Sequence, residues 1–253
     1  MMSSRNRAIS ILELLSQHAW GLSAHDIAAR LGIPFAATQR VLAGLIERGY
    51  AHGGPEKGDL FRLRVKLPAL GLAYLGATGV TDLVQPILDD LAKRTGELVR
   101  LAVIEADSLT WVAKSQGARS GLLYNPDTDA EVHLPATANG RAWLSCLGDH
   151  QARTLIEKSG LSAAGTIDAL LHDVAVARAQ GYAVVSESYE AGTSAVAAAI
   201  RRSATGSPIG TVSIAGPTIR MTPVRIREFV PWLLASATEL GAAASSSPLF
   251  KGL

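Results

Sequence analysis

The chain has 253 residues, 48% of them hydrophobic and 18% charged, with a formal net charge of +2. So high an apolar fraction with so little net charge excludes a mainly disordered chain, and the length allows one large domain or two ordinary ones. No apolar run reaches the roughly 18 residues that a membrane-spanning helix needs, and the single cysteine, Cys146, excludes an intrachain disulfide.

Arg5 and Arg7 precede an apolar stretch, but Glu13 interrupts it and no small-residue cleavage site follows. The N-terminus therefore does not read as a secretory signal. With the lone cysteine, this points to a reducing cytoplasm and away from a membrane. The charge is uneven. Residues 1–80 hold nine Lys and Arg against five acids, a net of +4, whereas residues 81–253 hold fifteen against seventeen, a net of −2. A basic first third on a slightly acidic remainder suggests a polyanion partner for the first part.

Ala8–Ser16 carries Ile9, Leu12 and Leu15 at helical spacing, with Ile11 and Leu14 beside them. Ser23 is a good N-cap, and Asp26 three residues on is a short form of the capping-box acid. Ile27, Ala28 and Leu31 then form the stripe of a short helix that Gly32 stops. Pro34 suits the first position of the next helix. That helix runs to about Arg48 over a buried face of Val41, Leu42, Leu45 and Ile46, and Gly49 ends it. Two helices across a short glycine-containing turn form a helix-turn-helix. The second helix would present Phe35, Ala36, Gln39 and Arg40 from its N-terminal half, where a recognition helix meets base edges. Arg pairs with guanine and Gln with adenine. Without the turn spacing, both would be ordinary solvated residues.

Tyr50–His52 and Leu60–Leu63 read as strands joined by the turn-rich Gly53-Gly54-Pro55-Glu56-Lys57-Gly58-Asp59. A hairpin directly after a helix-turn-helix is a wing, and Lys57 and Arg62 are its candidate phosphate contacts, with simple solvation the alternative. Leu67–Ala77 reads as a further helix with Pro68 in its first turn. The expected domains are therefore residues 1–66 for the winged helix-turn-helix, 67–80 for a linker helix, and 81–253 for a second domain.

In that second domain, Pro86–Thr95, Asn139–Leu147 and Ile167–Gln180 read as helices, the last ended by Gly181. Leu98–Ile104, Leu109–Ala113, Tyr182–Ser186, Ser194–Ile200 and Ile209–Ile214 read as strands, with a hairpin around Gly206. Pro223–Leu240 reads as a closing helix ended by Gly241, followed by a poorly ordered tail from Ala242. The class is α+β, with a largely antiparallel sheet.

No catalytic constellation is visible. Cys146 lies within an apparent helix beside Leu144 and Leu147, where a cysteine is usually a small core hydrophobe. His133, His150 and His172 lack metal-ligand spacing, and Gly53-Gly54 lacks a Walker lysine. No cofactor or metal is expected. Thr137, Ala138, Asn139 and Gly140 precede or open a helix, so their backbone N–H groups form a candidate carboxylate site. The plainer alternative is that Thr137 caps the helix.

The segment Arg7-Ala8-Ile9-Ser10-Ile11-Leu12-Glu13-Leu14-Leu15, then Gly21-Leu22-Ser23 and Ile27-Ala28-Ala29-Arg30-Leu31-Gly32-Ile33-Pro34, resembles the IclR family of bacterial transcription factors. So do Thr38, Arg40, Leu42, Leu45 and Gly49-Tyr50. The second half adds Gly96-Glu97, Thr137–Leu144, Gly181-Tyr182-Ala183, Glu187, Glu190 and Gly192, and Ser213-Ile214-Ala215-Gly216-Pro217. The resemblance implies a winged helix-turn-helix that dimerises, a linker helix, and a GAF/PAS-like effector-binding domain. It implies a homodimer or tetramer on a palindromic double-stranded operator, more often a repressor, answering to a small organic acid. The DNA-binding residues it implies are Ser23, Phe35, Ala36, Thr38, Gln39, Arg40, Lys57 and Arg62. The effector pocket gains Ser213, with Ala199 and Ala215 leaving room for an apolar body, so the acid is aromatic or an oxoacid. Ala37 departs from the family's Ser- or Thr-rich start to the recognition helix. A rival reading is a small-molecule-binding or hydrolytic protein whose first domain only dimerises.

Overall fold

The computed structural model describes residues 4–54, 60–126, 132–160, 163–203 and 205–244. The chain divides into two compact units, Met1–Tyr74 and Leu75–Leu253.

In the first unit, helix α1 (Ser4–Ser16) packs on α2 (Ala24–Leu31) and α3 (Phe35–Glu47) around Ile11, Leu15, Ile27, Leu42 and Leu45. Ser23 caps α2 as expected, its hydroxyl accepting from the Asp26 N–H at 3.1 Å. Gly32 ends α2 at φ +61°, a left-handed conformation that costs glycine little. Pro34 stands one place earlier than expected, at the N-cap of α3. The buried face of α3 is also rotated from the expected one. Ala37, Thr38, Leu42 and Leu45 are buried, while Val41 and Ile46 are only half-buried. Small side chains go inward where α3 packs against α2.

Strands β1 (Leu22–Ser23), β2 (Ala51–His52) and β3 (Leu60–Leu63) form an antiparallel sheet in the order β1-β3-β2. The two residues of β1 were not anticipated, since so short a strand has no period to read. Helix α4 (Lys66–Ala77) follows, and the division between the units falls inside it.

The second unit opens with a π-helical turn (Val80–Val84) that runs into α5 (Gln85–Thr95). Its sheet comprises β4 (Leu98–Glu105), β5 (Ser108–Gln116), β6 (Ala183–Ser186), β7 (Thr193–Arg201) and β8 (Pro208–Pro217). All pairs are antiparallel, in the order β5-β4-β8-β7-β6. Side chains alternate between the faces. On one face, Leu101, Val196, Ile200, Val212 and Ile214 pack against α5 and α9 (Pro223–Ala244) through Leu88, Leu91, Phe229 and Leu233. On the other face lie α6 (Ala138–Leu144), α7 (Asp149–Lys158) and α8 (Ala164–Gln180). There Ala138 and Ala142 meet Ala197.

Gly241 does not end the last helix. α9 continues through it to Ala244, which is buried. A Cβ at position 241 would lie 2.0 Å from the Arg201 carbonyl oxygen, so this glycine lets the helix rest on the end of β7. No single described helix is long and apolar enough to cross a membrane.

Candidate functional site

Two places in the molecule carry functional chemistry, one in each unit. In the first, Phe35, Ala36, Gln39 and Arg40 are all exposed on the N-terminal half of α3. Phe35 is half-covered by the His25 ring, with centroids 4.1 Å apart. Arg40 donates its Nε–H to the Ala36 carbonyl at a long 3.4 Å, and it forms no ion pair among the described residues. Thr38 is different. It is fully buried, and its hydroxyl donates to the Pro34 carbonyl at 3.4 Å. Its expected place at the DNA face is therefore corrected to the packing beneath it, because position 38 lies a full turn before Leu42 on the core side.

Ser23 spends its hydroxyl on the α2 cap, donating to Asp26 Oδ2 at 2.7 Å. Arg62 donates its Nε–H to the Trp20 carbonyl at 2.6 Å, fixing the Trp20-Gly21 turn against β3. Lys57 and the rest of the expected wing tip, 55–59, lie outside the described residues. A groove of about 570 Å³ runs between α1 and α3, with Ala8, Leu12, Val41 and Gly44 in its floor and Arg7 and Arg48 at its rim.

The second place is a small cavity of about 30 Å³ over the alanine-rich face of the large sheet. Of the expected residues, Thr137, Ala138, Asn139 and Ala215 line it. Gly140, Ala199 and Ser213 do not. Gly140 packs on backbone instead, since a Cβ there would lie 2.2 Å from the Leu134 carbonyl oxygen. Ala199 pairs with Thr211, four rungs along β7 from Ala195, which does line the cavity. Of the two small residues expected to leave room for a ligand, Ala215 lines the cavity and Ala199 does not; nearby, Ala138, Ala142 and Ala197 draw α6 close to the sheet.

The expected bare helix N-terminus is not bare. Thr137 Oγ1 accepts from the Gly140 N–H at 3.1 Å and donates to the His133 carbonyl at 2.9 Å. This is the capping alternative. Asn139 turns its amide to Thr211, with Nδ2 donating to Oγ1 at 2.9 Å, and so pins α6 to β8.

The charged group in this cavity is one that the sequence reading passed over. Arg100, in the middle of β4, lines it. Its guanidinium carbon lies 3.9 Å from the centre of the Trp111 ring, a cation–π contact that covers one face. Its buried Nε has no hydrogen-bond partner, and among the described residues no carboxylate forms an ion pair with it. Burial holds the guanidinium below its ordinary range, while neighbouring Tyr124, Tyr189 and Glu190 act in the opposite direction. Arginine nevertheless stays charged at any pH a folded protein meets. Ser213 pairs with Arg100 across the β4–β8 ladder, and its hydroxyl oxygen is buried and also unpartnered.

Tyr124 covers the cavity from the segment after β5. Burial pushes its phenol up, with Arg100 pulling down and Glu190 adding to the rise. The segment is held by Gln116, whose Nε2 donates to the Tyr124 carbonyl at 2.9 Å, and by Arg220, whose Nη1 donates to the Leu122 carbonyl at 2.7 Å. Arg220 also makes a two-pronged pair with buried Glu97, at 2.6 and 2.7 Å. Gly216 makes room for that carboxylate, since a Cβ there would lie 2.3 Å from Oε2.

A lone cation in an apolar strand was a readable signal for Arg100. The Glu97–Arg220 pair spans 123 positions and has no local signal. Cys146 is half-buried on the turn after α6. Its Sγ donates to the Ala142 carbonyl at 3.3 Å, and burial pushes its thiol up, away from the thiolate that a nucleophile needs.

The sequence matches two family models: the bacterial transcriptional regulator IclR C-terminal domain over residues 72–242, and the IclR helix-turn-helix domain over 6–53. It is 29% identical to the Pca regulon regulatory protein of Pseudomonas putida, covering 94% of this chain and 83% of that protein. It is 25% identical to the transcriptional repressor IclR of Escherichia coli, covering 96% and 90%. In fold it is similar to an IclR homolog of Microbacterium hydrocarbonoxydans crystallised with 4-hydroxybenzoate. That match has a TM-score of 0.78 at 22% identity and covers 97% of this chain and all of the other. It is also similar to an IclR-type regulator of Alicyclobacillus acidocaldarius, with a TM-score of 0.82 at 22% identity, covering 96% and 99%. These relatives are regulators, not enzymes. With both models matched and more than half of the residues inside the C-terminal one, the chain belongs to the IclR family of DNA-binding transcriptional regulators.

Proposed function

We propose that the protein is a cytoplasmic repressor that binds a palindromic operator as a homodimer or tetramer, and whose hold on DNA is set by a small organic acid. The observation that carries the DNA side is the exposed quartet Phe35, Ala36, Gln39 and Arg40 on the helix after the Gly32 turn. In this reading Gln39 and Arg40 meet base edges. Ser23, Lys57 and Arg62 flank the phosphates, Ser23 and Arg62 through whatever donors their own structural bonds leave.

Two apolar surfaces in the first unit support self-association. One is the α1–α3 groove; the other is α4, where Leu70, Leu72 and Tyr74 are exposed. The acid is supported by Arg100 in the second unit, whose buried Nε lacks a partner, and a relative crystallised with 4-hydroxybenzoate makes an aromatic acid a fitting member of the class.

The test is titration of the full chain with the DNA upstream of its own coding sequence, at several salt concentrations. Binding should be tight and should weaken steeply with salt, because Lys and Arg on phosphates release counterions. Arg40→Ala should lose about 1–3 kcal/mol of operator affinity while keeping its fold. A salt-insensitive interaction, or wild-type affinity in folded Arg40→Ala, would reject the assignment.

A further inference from the structure

We propose that Arg100 is the carboxylate anchor of the effector site, with Ser213 as a second donor, and that the ligand is a carboxylic acid bearing a single negative charge. This rests on the reading of the protein as an acid-responsive regulator.

Four observations lead there. Arg100 is a half-buried cation that has Tyr124 as a hydrogen-bonding neighbour, but its buried Nε has no partner and it forms no ion pair among the described residues. A donor shut away from water without a partner costs the fold stability. Methionine would fill the same place in a strand that otherwise reads Leu98-Val99, Leu101-Ala102-Val103. Second, Ser213 stands directly across the ladder from Arg100 and is 1% exposed, and its hydroxyl also has no partner. The two stand on one rung, Arg100 in the cavity wall and Ser213 outside it, so the charge-assisted contact to guanidinium carries the anchoring and Ser213 adds a weaker bond once the cavity opens.

Third, Trp111 covers one face of the guanidinium, so an anion meets its edge, where the N–H groups point. Fourth, Glu190 lies at the exposed rim of the same cavity, beside Tyr124 and near Arg100 without pairing to it. A second negative charge on the ligand would face that carboxylate, which is why a monoanion is selected. The cavity, at about 30 Å³, holds about one or two waters. A ring therefore enters only if Tyr124 or Tyr189, which line it, move aside.

The experiment is calorimetric titration of the full chain with pyruvate, benzoate, 4-hydroxybenzoate, benzamide and succinate, alongside thermal melting of each variant. Wild type should bind at least one of the three monoacids, and bind benzamide and succinate at least tenfold more weakly than the best of them. Arg100→Met should lose at least tenfold in affinity for that acid and Ser213→Ala about two- to fivefold. Arg100→Met should melt no lower than wild type, because a residue retained for a ligand rather than for the fold is dispensable to stability. Should Arg100→Met fail to fold, Arg100→Lys decides, since it keeps the charge, loses the fork and should still bind the acid several-fold more weakly. Unchanged acid affinity in either variant would overturn the anchor while leaving the acid-responsive reading intact. Binding of succinate as tight as that of the monoacids would overturn the charge selection. If wild type binds none of the monoacids, the acid-responsive reading falls, and the anchor falls with it.

Discussion

The two faces of the five-stranded sheet are built from the same strands and could hardly differ more. One carries Leu101, Val103, Val196, Ile200, Val212 and Ile214, closed by Phe229 and Leu233 of α9. The other carries Arg100, Ala195, Ala197, Thr211, Ser213 and Ala215 on the alternate rungs. The first is ordinary close-packed core. The second has its own apolar cluster toward β5, where Ala102 and Leu109 meet Trp143, Leu144 and Ile156, but its middle is thin, polar and incompletely satisfied, with two buried polar atoms left without partners. Period-two alternation lets a single sheet do both. Both faces contribute to stability, while the middle of the second also tolerates groups that only a ligand would complete.

Substitutions on the two faces should therefore separate by size. The largest effect belongs to the solid face. Phe229→Ala removes a fully buried ring and should cost about 3–5 kcal/mol in urea unfolding, well above anything Arg100 or Ser213 contributes to stability. A loss below about 1 kcal/mol would break the comparison.

Next comes the clamp between the faces. Arg220→Ala leaves Glu97 buried without its cation and should cost about 3 kcal/mol, because one partner of a buried pair is removed. Part of this is discounted because Arg220 is partly exposed. Adding Glu97→Gln should recover some of the loss, since neighbours in one pair are not additive. A full additive loss would mean that the pair is not the source.

The smallest effect sharpens the thin side. Cys146, after α6, should react slowly with a thiol reagent at pH 8. Burial raises its pKa above the ordinary thiol range, so the neutral form dominates there and the thiolate grows in only at higher pH. Rapid modification of the folded protein at pH 8 would show that side of the molecule to be looser than its packing implies.

Much of this architecture was legible, and the reasons are physical. The strands and most helices of the second unit follow from apolar periodicity, although α7 was not anticipated, and Ser23, Gly32 and Gly181 mark helix ends because capping is local chemistry. What failed depended on distant partners. Gly241 looked like a stop but is a contact with Arg201, forty residues away in sequence. Thr38 was placed at the DNA face by resemblance alone, but the packing of α3 buries it. Ala199 looked like room for a ligand but lies away from the cavity, while neighbouring Ala197 is where α6 docks. The candidate site was half legible. Thr137, Ala138, Asn139 and Ala215 line the cavity as expected, whereas Arg100 belongs to no motif and shows only as a charge inside an apolar strand.

The most direct measurement joins the two units through function. Operator affinity of the full chain is titrated with and without the acid that binds it best, for wild type and Arg100→Met. An effector acts only by favouring one state of the protein over another. Wild-type affinity should shift several-fold with the acid, whereas Arg100→Met should bind the operator as tightly as acid-free wild type and ignore the acid. An Arg100→Met protein that still answers the acid as wild type does would contradict the assignment of the thin face as the control site.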